Sequence, residues 1–198
     1  MGDHIIRQKT RVLYPSEYRA IRAELSYPHQ LMLDGMLFSG TRTVEFWRFL
    51  DHPEWYKSSR KCIDLPRGSV LKAKCRQAER TVLLSAWGLQ AIEGMLTYME
   101  KNRNTFRPMT RQGWSQALTA AAIKAVNRGT LDNLEGIVPK MTRKTWISWM
   151  LATHPEREGS IAISSGHDVA TMLKHYTGLG FPQNEIQAMK VFTAGWGE

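Results

Sequence analysis

The sequence has few cysteines and no long apolar run, and these two shortages exclude whole classes of protein. Cys62 and Cys75 are too few for a disulfide framework or a four-cysteine metal site. We interpret them as reduced thiols, although both lie in segments that we predict to be neighbouring strands. No stretch approaches the roughly 18 consecutive apolar residues of a membrane span, and the N-terminus has no apolar signal-peptide core. We therefore expect a cytoplasmic globular protein.

Acidic residues are scarce relative to basic ones. The chain of 198 residues has 27 Lys and Arg against 18 Asp and Glu, which gives a net charge of +9. The basic residues are spread along the chain and do not form a tail, so the charge predicts a folded surface that binds a polyanion. We find no low-complexity segment and no internal repeat. The length suits one domain with a sizeable core.

The spacing of apolar residues predicts a mainly α-helical domain with a small antiparallel β-sheet, an α+β fold. The predicted helices carry apolar residues at helical spacing, and they cover 15–25, 29–38, 43–50, 86–99, 111–127, 142–152, 168–176 and 183–193. The predicted strands are short and β-branched, and they cover 61–66, 69–75 and 79–85. We expect residues 1–14 to be a leader of uncertain order, 15–181 to be the main domain, and 182–198 to be a C-terminal helix and tail.

Two cations stand at the start of one predicted helix. Lys140 and Arg143 lie three residues apart ahead of Trp146 and Met150, which point to a core. Cations at a helix N-terminus oppose the helix dipole, so a purely structural design would avoid them. An anion-binding site favours them, because the unpaired backbone N–H groups and both side chains converge on the same ligand.

Three further segments carry residues suited to chemistry. Arg42 and Glu45 lie on one face at the start of a helix, which is equally typical of a surface ion pair. A lysine in the predicted hairpin, Lys74 or alternatively Lys72, suits a proton donor on a turn, or a solvated edge residue. His167 and Tyr176 lie at opposite ends of one predicted helix, where a half-buried packing tyrosine is the plainer interpretation.

Taken in order, these segments resemble the tyrosine recombinases, the phage-integrase family. The family's GxRxxE motif is matched by residues 40–45 (GTRTVE), and its lysine hairpin is followed by a strand that is matched by residues 79–83 (ERTVL). Its HxxR motif is matched by residues 140–143 (KMTR) with Lys140 in place of histidine, and its G-H…Y block by residues 166–176. The resemblance covers about residues 28 to 180. Lys140 and the C-terminal run further resemble the integrases of archaeal viruses and plasmids.

The resemblance implies the tyrosine recombinase catalytic-domain fold and a reaction on DNA. Tyr176 is then expected to attack a phosphodiester, and Arg42 and Arg143 to bind its non-bridging oxygens. His167 is expected to donate to those oxygens, the hairpin lysine to protonate the leaving oxygen, and Glu45 to orient Arg42. Lys140 is expected to supply charge or to assist deprotonation of the tyrosine. Neither a metal nor a cofactor is required.

The implied partners are double-stranded DNA and further copies of the chain, assembled on DNA as a dimer or tetramer. The C-terminal helix is expected either to pack on its own domain or to dock on a neighbouring copy. Family members usually carry a separate core-binding domain ahead of the catalytic one, and we expect this chain to lack it. The basic residues expected to contact phosphates are Arg76, Arg107, Arg111, Lys124, Arg128 and Lys144.

Three other functions remain open from the sequence. The chain fits an inactive DNA-binding module with the same fold, and it fits a type IB topoisomerase, which shares the chemistry. A metal-dependent nuclease is the weakest alternative, because it needs clustered carboxylates, and Asp132 and Glu135 are isolated in the sequence.

Overall fold

The protein is described by a computed structural model, which places residues 4–67, 79–106 and 109–198. The helices in these residues are α1 (Pro15–Ala23), α2 (Tyr27–Ser39), α3 (Thr43–Asp51), α4 (Ala86–Lys101), α5 (Arg111–Asn127), α6 (Met141–Thr153), α7 (Glu158–Ser165), α8 (Val169–Tyr176) and α9 (Gln183–Thr193). The strands are β1 (Ile5–Arg7), β2 (Thr10–Val12), β3 (Tyr56–Lys57), β4 (Cys62–Leu65) and β5 (Arg80–Leu83). The prediction of a mainly helical fold with a small antiparallel sheet is confirmed.

Helices α2 and α6 form the centre of the fold. Both are buried around most of their circumference, and α4 and α9 pack against them. The rings of Phe38 and Trp149 stack on Phe192 of α9 at centroid distances of 5.4 and 5.5 Å. Helix α9 therefore packs on its own domain, which is one of the two arrangements expected for it.

The N-terminal segment differs from its prediction. Residues that were expected to form a leader of uncertain order contain the antiparallel pair β1–β2, with Ile5 opposite Val12. The turn residues Gln8 and Lys9 both have positive φ, 50° and 56°, as two-residue hairpin turns require. Glycine or asparagine usually fills such positions, so the sequence carried no turn signal. Arg11 is fully buried and anchors the hairpin on the domain.

The second sheet has the order β3-β4-β5, and both strand pairs are antiparallel. Strands β4 and β5 lie inside the predicted strands 61–66 and 79–85, whereas β3 was not predicted. The predicted strand 69–75, which contains Cys75, lies outside the described residues. Cys62 on β4 is buried with a free thiol. Helix α7 was also missed, because its sequence EGSIAISS has little helical amphipathicity.

Candidate active site

The turn between α2 and α3 sets the position of Arg42. Helix α2 ends at Gly40 in the left-handed conformation (φ 59°), where a Cβ atom would lie 2.4 Å from Cδ1 of Trp146. Arg42 precedes the first residue of α3, and its backbone N–H donates to Glu45 Oε2 at 2.8 Å. Its Nη1 donates to Glu45 Oε1 at 2.7 Å. The Arg42 side chain is 38% exposed. The guanidinium is thus held by Glu45 at one edge, while its Nη2 makes a long bond of 3.4 Å to the Gly166 carbonyl and remains partly exposed.

Glu45 is fully buried and is shared by two arginines. Arg80 on β5 donates from Nη1 and Nη2 to the two carboxylate oxygens at 3.0 and 2.6 Å, and from Nε to the Ser164 carbonyl at 3.0 Å. Burial alone would raise the pKa of Glu45, but the charges of Arg80 and Arg42 outweigh it and hold that pKa below its usual value. The carboxylate is therefore ionised, and it fixes the orientation of Arg42.

Arg143 is buried, and no carboxylate among the described residues pairs with it. It lies in the first turn of α6 and donates from Nη1 to the Gly40 carbonyl at 2.8 Å and from Nη2 to the Ser165 carbonyl. Burial and the neighbouring Arg42 and Arg80 lower the pKa of Arg143 to about 9, so it stays charged at neutral pH. An anion placed against it would relieve this repulsion.

His167 links Arg143 to Tyr176. Its Nδ1 lies 3.3 Å from Arg143 Nη2, and its ring centroid lies 5.4 Å from that of Tyr176. Burial and then the charge of Arg143 lower the pKa of His167 to about 4, so the imidazole is neutral at pH 7. If its Nδ1 accepts from Arg143, the proton stays on Nε2, which is then a donor.

Tyr176 is the last residue of α8 and is partly buried. Asp168 caps the start of that helix by accepting from the Thr171 N–H at 3.1 Å. Burial raises the pKa of the Tyr176 phenol, while Arg143 and Arg42 act in the opposite direction. The phenol therefore lies in the field of the same two guanidinium groups that were predicted to bind a phosphate.

Arg42 and Arg143 border a cleft of about 380 Å³ at the N-terminal ends of α3, α5 and α6. The cleft is also lined by Thr43, Val44, Arg111, Pro139 and Lys140. Four cationic side chains thus face one space at the N-terminal ends of helices, where the helix dipole also favours an anion. The arrangement suits an anion with several oxygens, and a phosphodiester is such an anion.

The structure brings together those predicted reaction residues that lie within its described ranges. Arg42 is paired with Glu45, Arg143 contacts His167, and His167 contacts Tyr176. Lys140 and Arg111 line the adjoining cleft with Arg42 and Arg143. Four further predicted residues lie outside the described residues, namely Lys72, Lys74, Arg76 and Arg107.

Lys144 is a correction. It was predicted to contact phosphate, but it is only 8% exposed, and its ammonium donates to the Arg7 carbonyl at 2.6 Å. Its role is to hold the hairpin on α6. Lys124 and Arg128 are exposed at the far end of α5, roughly 20 to 25 Å from Arg111 at 1.5 Å per residue. Arg128 is paired with Glu24 at 2.7 Å.

Arg80 and Ser165 are site residues to which sequence reasoning gave no role. Arg80 and Val82 lie on the same, buried face of β5. A charged residue at a strand position that faces the core indicates a buried ion pair. Ser165 has its Oγ 3.1 Å from Nδ1 of His167. Nothing in the sequence distinguishes this serine from its neighbours.

The described residues contain neither a group of side chains suited to a metal ion nor a membrane-spanning helix. Within residues 4–67, 79–106 and 109–198, no group of three or more His, Cys, Asp or Glu side chains is arranged to hold a metal ion. In that same part of the chain, every helix is too short or too polar to cross a bilayer.

The fold is similar to solved recombinase structures, although no protein-family model and no curated protein match the sequence. The Tn1549 transposon integrase in complex with transposon right end DNA aligns with a TM-score of 0.63 and 15% identity over 90% of this chain and 64% of that one. XerA recombinase aligns with a TM-score of 0.60 and 14% identity over 90% of this chain and 63% of that one. XerH site-specific recombinase bound to a palindromic difH substrate aligns with a TM-score of 0.53 and 16% identity over 92% of this chain and 52% of that one. The chain spans less than two thirds of each. It has the tyrosine recombinase catalytic-domain fold.

Proposed function

We propose that the protein is the catalytic part of a site-specific DNA recombinase. The observation that carries this proposal is the position of Tyr176, whose phenol lies beside the neutral His167 and in the field of Arg143 and Arg42. The similarity to integrase and recombinase structures solved with DNA supports the same conclusion. The partner is double-stranded DNA, and further copies of the chain assemble on it.

The reaction is an exchange of one phosphoester bond for another. The Tyr176 oxygen bonds to the phosphorus of a DNA phosphodiester while the bond from phosphorus to the 5′-oxygen breaks, which leaves a 3′-phosphotyrosine and a free 5′-hydroxyl. The bond energy is retained, so the reverse attack by a 5′-hydroxyl rejoins a strand without ATP. Strand exchange follows when the attacking hydroxyl comes from another duplex.

The two arginines stabilise the charge of the transition state. Arg42 is partly exposed, and Arg143 has no carboxylate partner within residues 4–67, 79–106 and 109–198, so both have positive charge available to non-bridging oxygens. His167, neutral at pH 7, donates from Nε2. Glu45 and Arg80 hold Arg42 in place and do not contact DNA.

Two protons move in each cleavage step. The phenolic proton of Tyr176 has to leave, and Lys140 at the cleft either accepts it as a neutral amine or only supplies charge. The leaving 5′-oxygen gains a proton from the hairpin lysine, Lys74 or Lys72. A pH–rate profile distinguishes the two roles of Lys140. If Lys140 accepts the proton, the rate rises with pH as the amine loses its own proton, so Lys140→His should move that rise to lower pH and Lys140→Ala should remove it.

The finer placement among integrases of archaeal viruses and plasmids rests on Lys140 and the C-terminal run. It adds no chemistry to the scheme, and the genomic setting of the gene would test it. The exposed Arg111, with Arg76 and Arg107, is proposed to contact phosphates and set the register on DNA. Lys124 and Arg128 lie at the far end of α5, and Arg128 is paired with Glu24, so a smaller contribution is proposed for these two.

A nicked suicide DNA substrate tests the proposal. Cleavage next to the nick releases a short fragment, so the covalent protein–DNA complex accumulates and is resolved on a denaturing gel. We expect this complex with the unaltered chain and none with Tyr176→Phe. Binding without a covalent complex would contradict the proposal and favour an inactive module, and relaxation of supercoiled plasmid without recombination would favour a topoisomerase.

A further inference from the structure

The turn of the β1–β2 hairpin contacts both neighbours of Tyr176. The Gln8 side-chain amide donates to Nδ1 of His175 at 3.0 Å, and Arg7 Nη2 donates to the Thr177 carbonyl at 3.4 Å. These contacts join residues that are 167 and 170 positions apart in the sequence. The hairpin thus contacts α8 and the residue after it on either side of the proposed nucleophile.

The hairpin itself is firmly anchored on α6. Lys144, which follows Arg143, donates to the Arg7 carbonyl at 2.6 Å, and the Leu13 N–H donates to Thr145 Oγ1 at 3.0 Å. Trp149 Nε1 donates to the Leu13 carbonyl at 2.7 Å. The hairpin is therefore tied to the helix that carries Arg143.

The end of α8 is held both by its own packing and by the hairpin. Leu173 and Tyr176 pack against the core beside the buried Met172, and the chain leaves the helix at Thr177 in an extended conformation followed by Gly178 in the left-handed region. Tyr176 lies in the last turn, where helices fray. The contacts from Arg7 and Gln8 add restraint on both sides of Tyr176.

We infer that the β1–β2 hairpin is a positioning element that holds Tyr176 in line with Arg143 and His167, with Arg7 and Gln8 as its contact residues. The inference rests on the proposed function, because only a reacting phenol needs such placement. Hydrogen bonds on an exposed surface add little to global stability, whereas a displacement of about 1 Å at a nucleophile reduces rates up to about a hundredfold. The contacts therefore affect the rate more than the folding.

The test compares a double variant, Arg7→Ala with Gln8→Ala, with the matched control Lys9→Ala. Lys9 is exposed in the same turn, shares the positive φ, and makes no hydrogen bond or ion pair with the residues that the structure describes. Single-turnover cleavage of the nicked substrate is measured at saturating DNA, so that changes in binding do not enter the rate. Amide hydrogen exchange at residues 173–177 is measured on the protein without DNA.

We expect the double variant to cleave about tenfold more slowly, with faster exchange at residues 173–177 and a global unfolding midpoint within about 2 °C of the unaltered chain. The Lys9→Ala control and Arg7→Lys, which keeps a donor, should stay close to the unaltered rate. An unchanged or faster rate in the double variant, or unchanged exchange, overturns the inference. If the unaltered chain itself fails to cleave, the proposed function fails, and the exchange measurement still decides whether the hairpin restrains α8.

Discussion

The protein contains two buried charge networks with opposite balance. At the candidate site, one fully buried carboxylate, Glu45, is shared by Arg42 and Arg80, with Arg143 close by. At the base of the hairpin, one fully buried guanidinium, Arg11, is shared by the carboxylates of Glu17 and Asp132.

The difference separates a binding site from a structural link. The network at Arg11 satisfies its cation in full, with further bonds to the carbonyl and side chain of Asn133, and the pKa of Arg11 is raised because its partners outweigh the cost of burial. At Glu45, one carboxylate faces Arg42 and Arg80, with Arg143 nearby, so the network has a net positive charge. Burial and the repulsion from the other two arginines lower the pKa of Arg143. Surplus charge that folding does not compensate is available to a ligand.

Arg143→Met should have the largest effect on activity. Because no carboxylate in the described part of the chain neutralises this guanidinium, its removal should reduce single-turnover cleavage about a thousandfold. The free energy of unfolding should fall by at most about 1 kcal/mol, since relief of repulsion offsets the lost bonds to two carbonyls. Urea unfolding measures the change in the free energy of unfolding. A fall of several kcal/mol would show that Arg143 mainly stabilises the fold.

Arg11→Met should have the opposite profile. It leaves Glu17 and Asp132 without their shared cation, so we expect the free energy of unfolding to fall by about 3 kcal/mol. Cleavage by the molecules that remain folded should fall no further than the roughly tenfold expected for a displaced hairpin. An unchanged urea midpoint would show that this network is not needed for stability.

Acid should destabilise the protein in part through His167. The pKa of His167 is about 4 when folded against 6.5 for an unperturbed imidazole, so the unfolded chain binds the proton more readily between these values. Stability should therefore fall as the pH drops from about 6.5 to 4. Carboxylates titrate in the same range, so the measurement is the difference between the unaltered chain and His167→Gln in urea unfolding at several pH values. An equal pH dependence in both would contradict the environment described for His167.

Arg111→Gln and Arg128→Gln should show the smallest effects, and they differ in salt dependence. Arg111 faces the cleft, and its loss should reduce the slope of log affinity against log salt by about 0.9 for one phosphate contact. Arg128 is already paired with Glu24, so its loss should change the slope less. DNA-binding titrations at several salt concentrations measure both slopes, and equal slopes would place the DNA along the whole of α5.

The sequence indicated the candidate residues that share the site better than the residues that support them. Arg42, Arg143 and Tyr176 could be selected because the proposed chemical role requires their residue types at given spacings, and the structure places all three in one region. Arg80 and the hairpin were missed, because their roles depend on partners distant in the sequence. Lys144 was misassigned for the same reason, since the carbonyl that holds its ammonium belongs to Arg7.

The left-handed turn at Gly40 has a consequence for laboratory evolution of this protein. Its absent side chain leaves room for the Trp146 ring, while its carbonyl supports Arg143. A library that varies residue 40 alone should therefore return glycine, and tolerated alternatives should appear only when position 146 is reduced in the same clone. The two positions would have to be exchanged together.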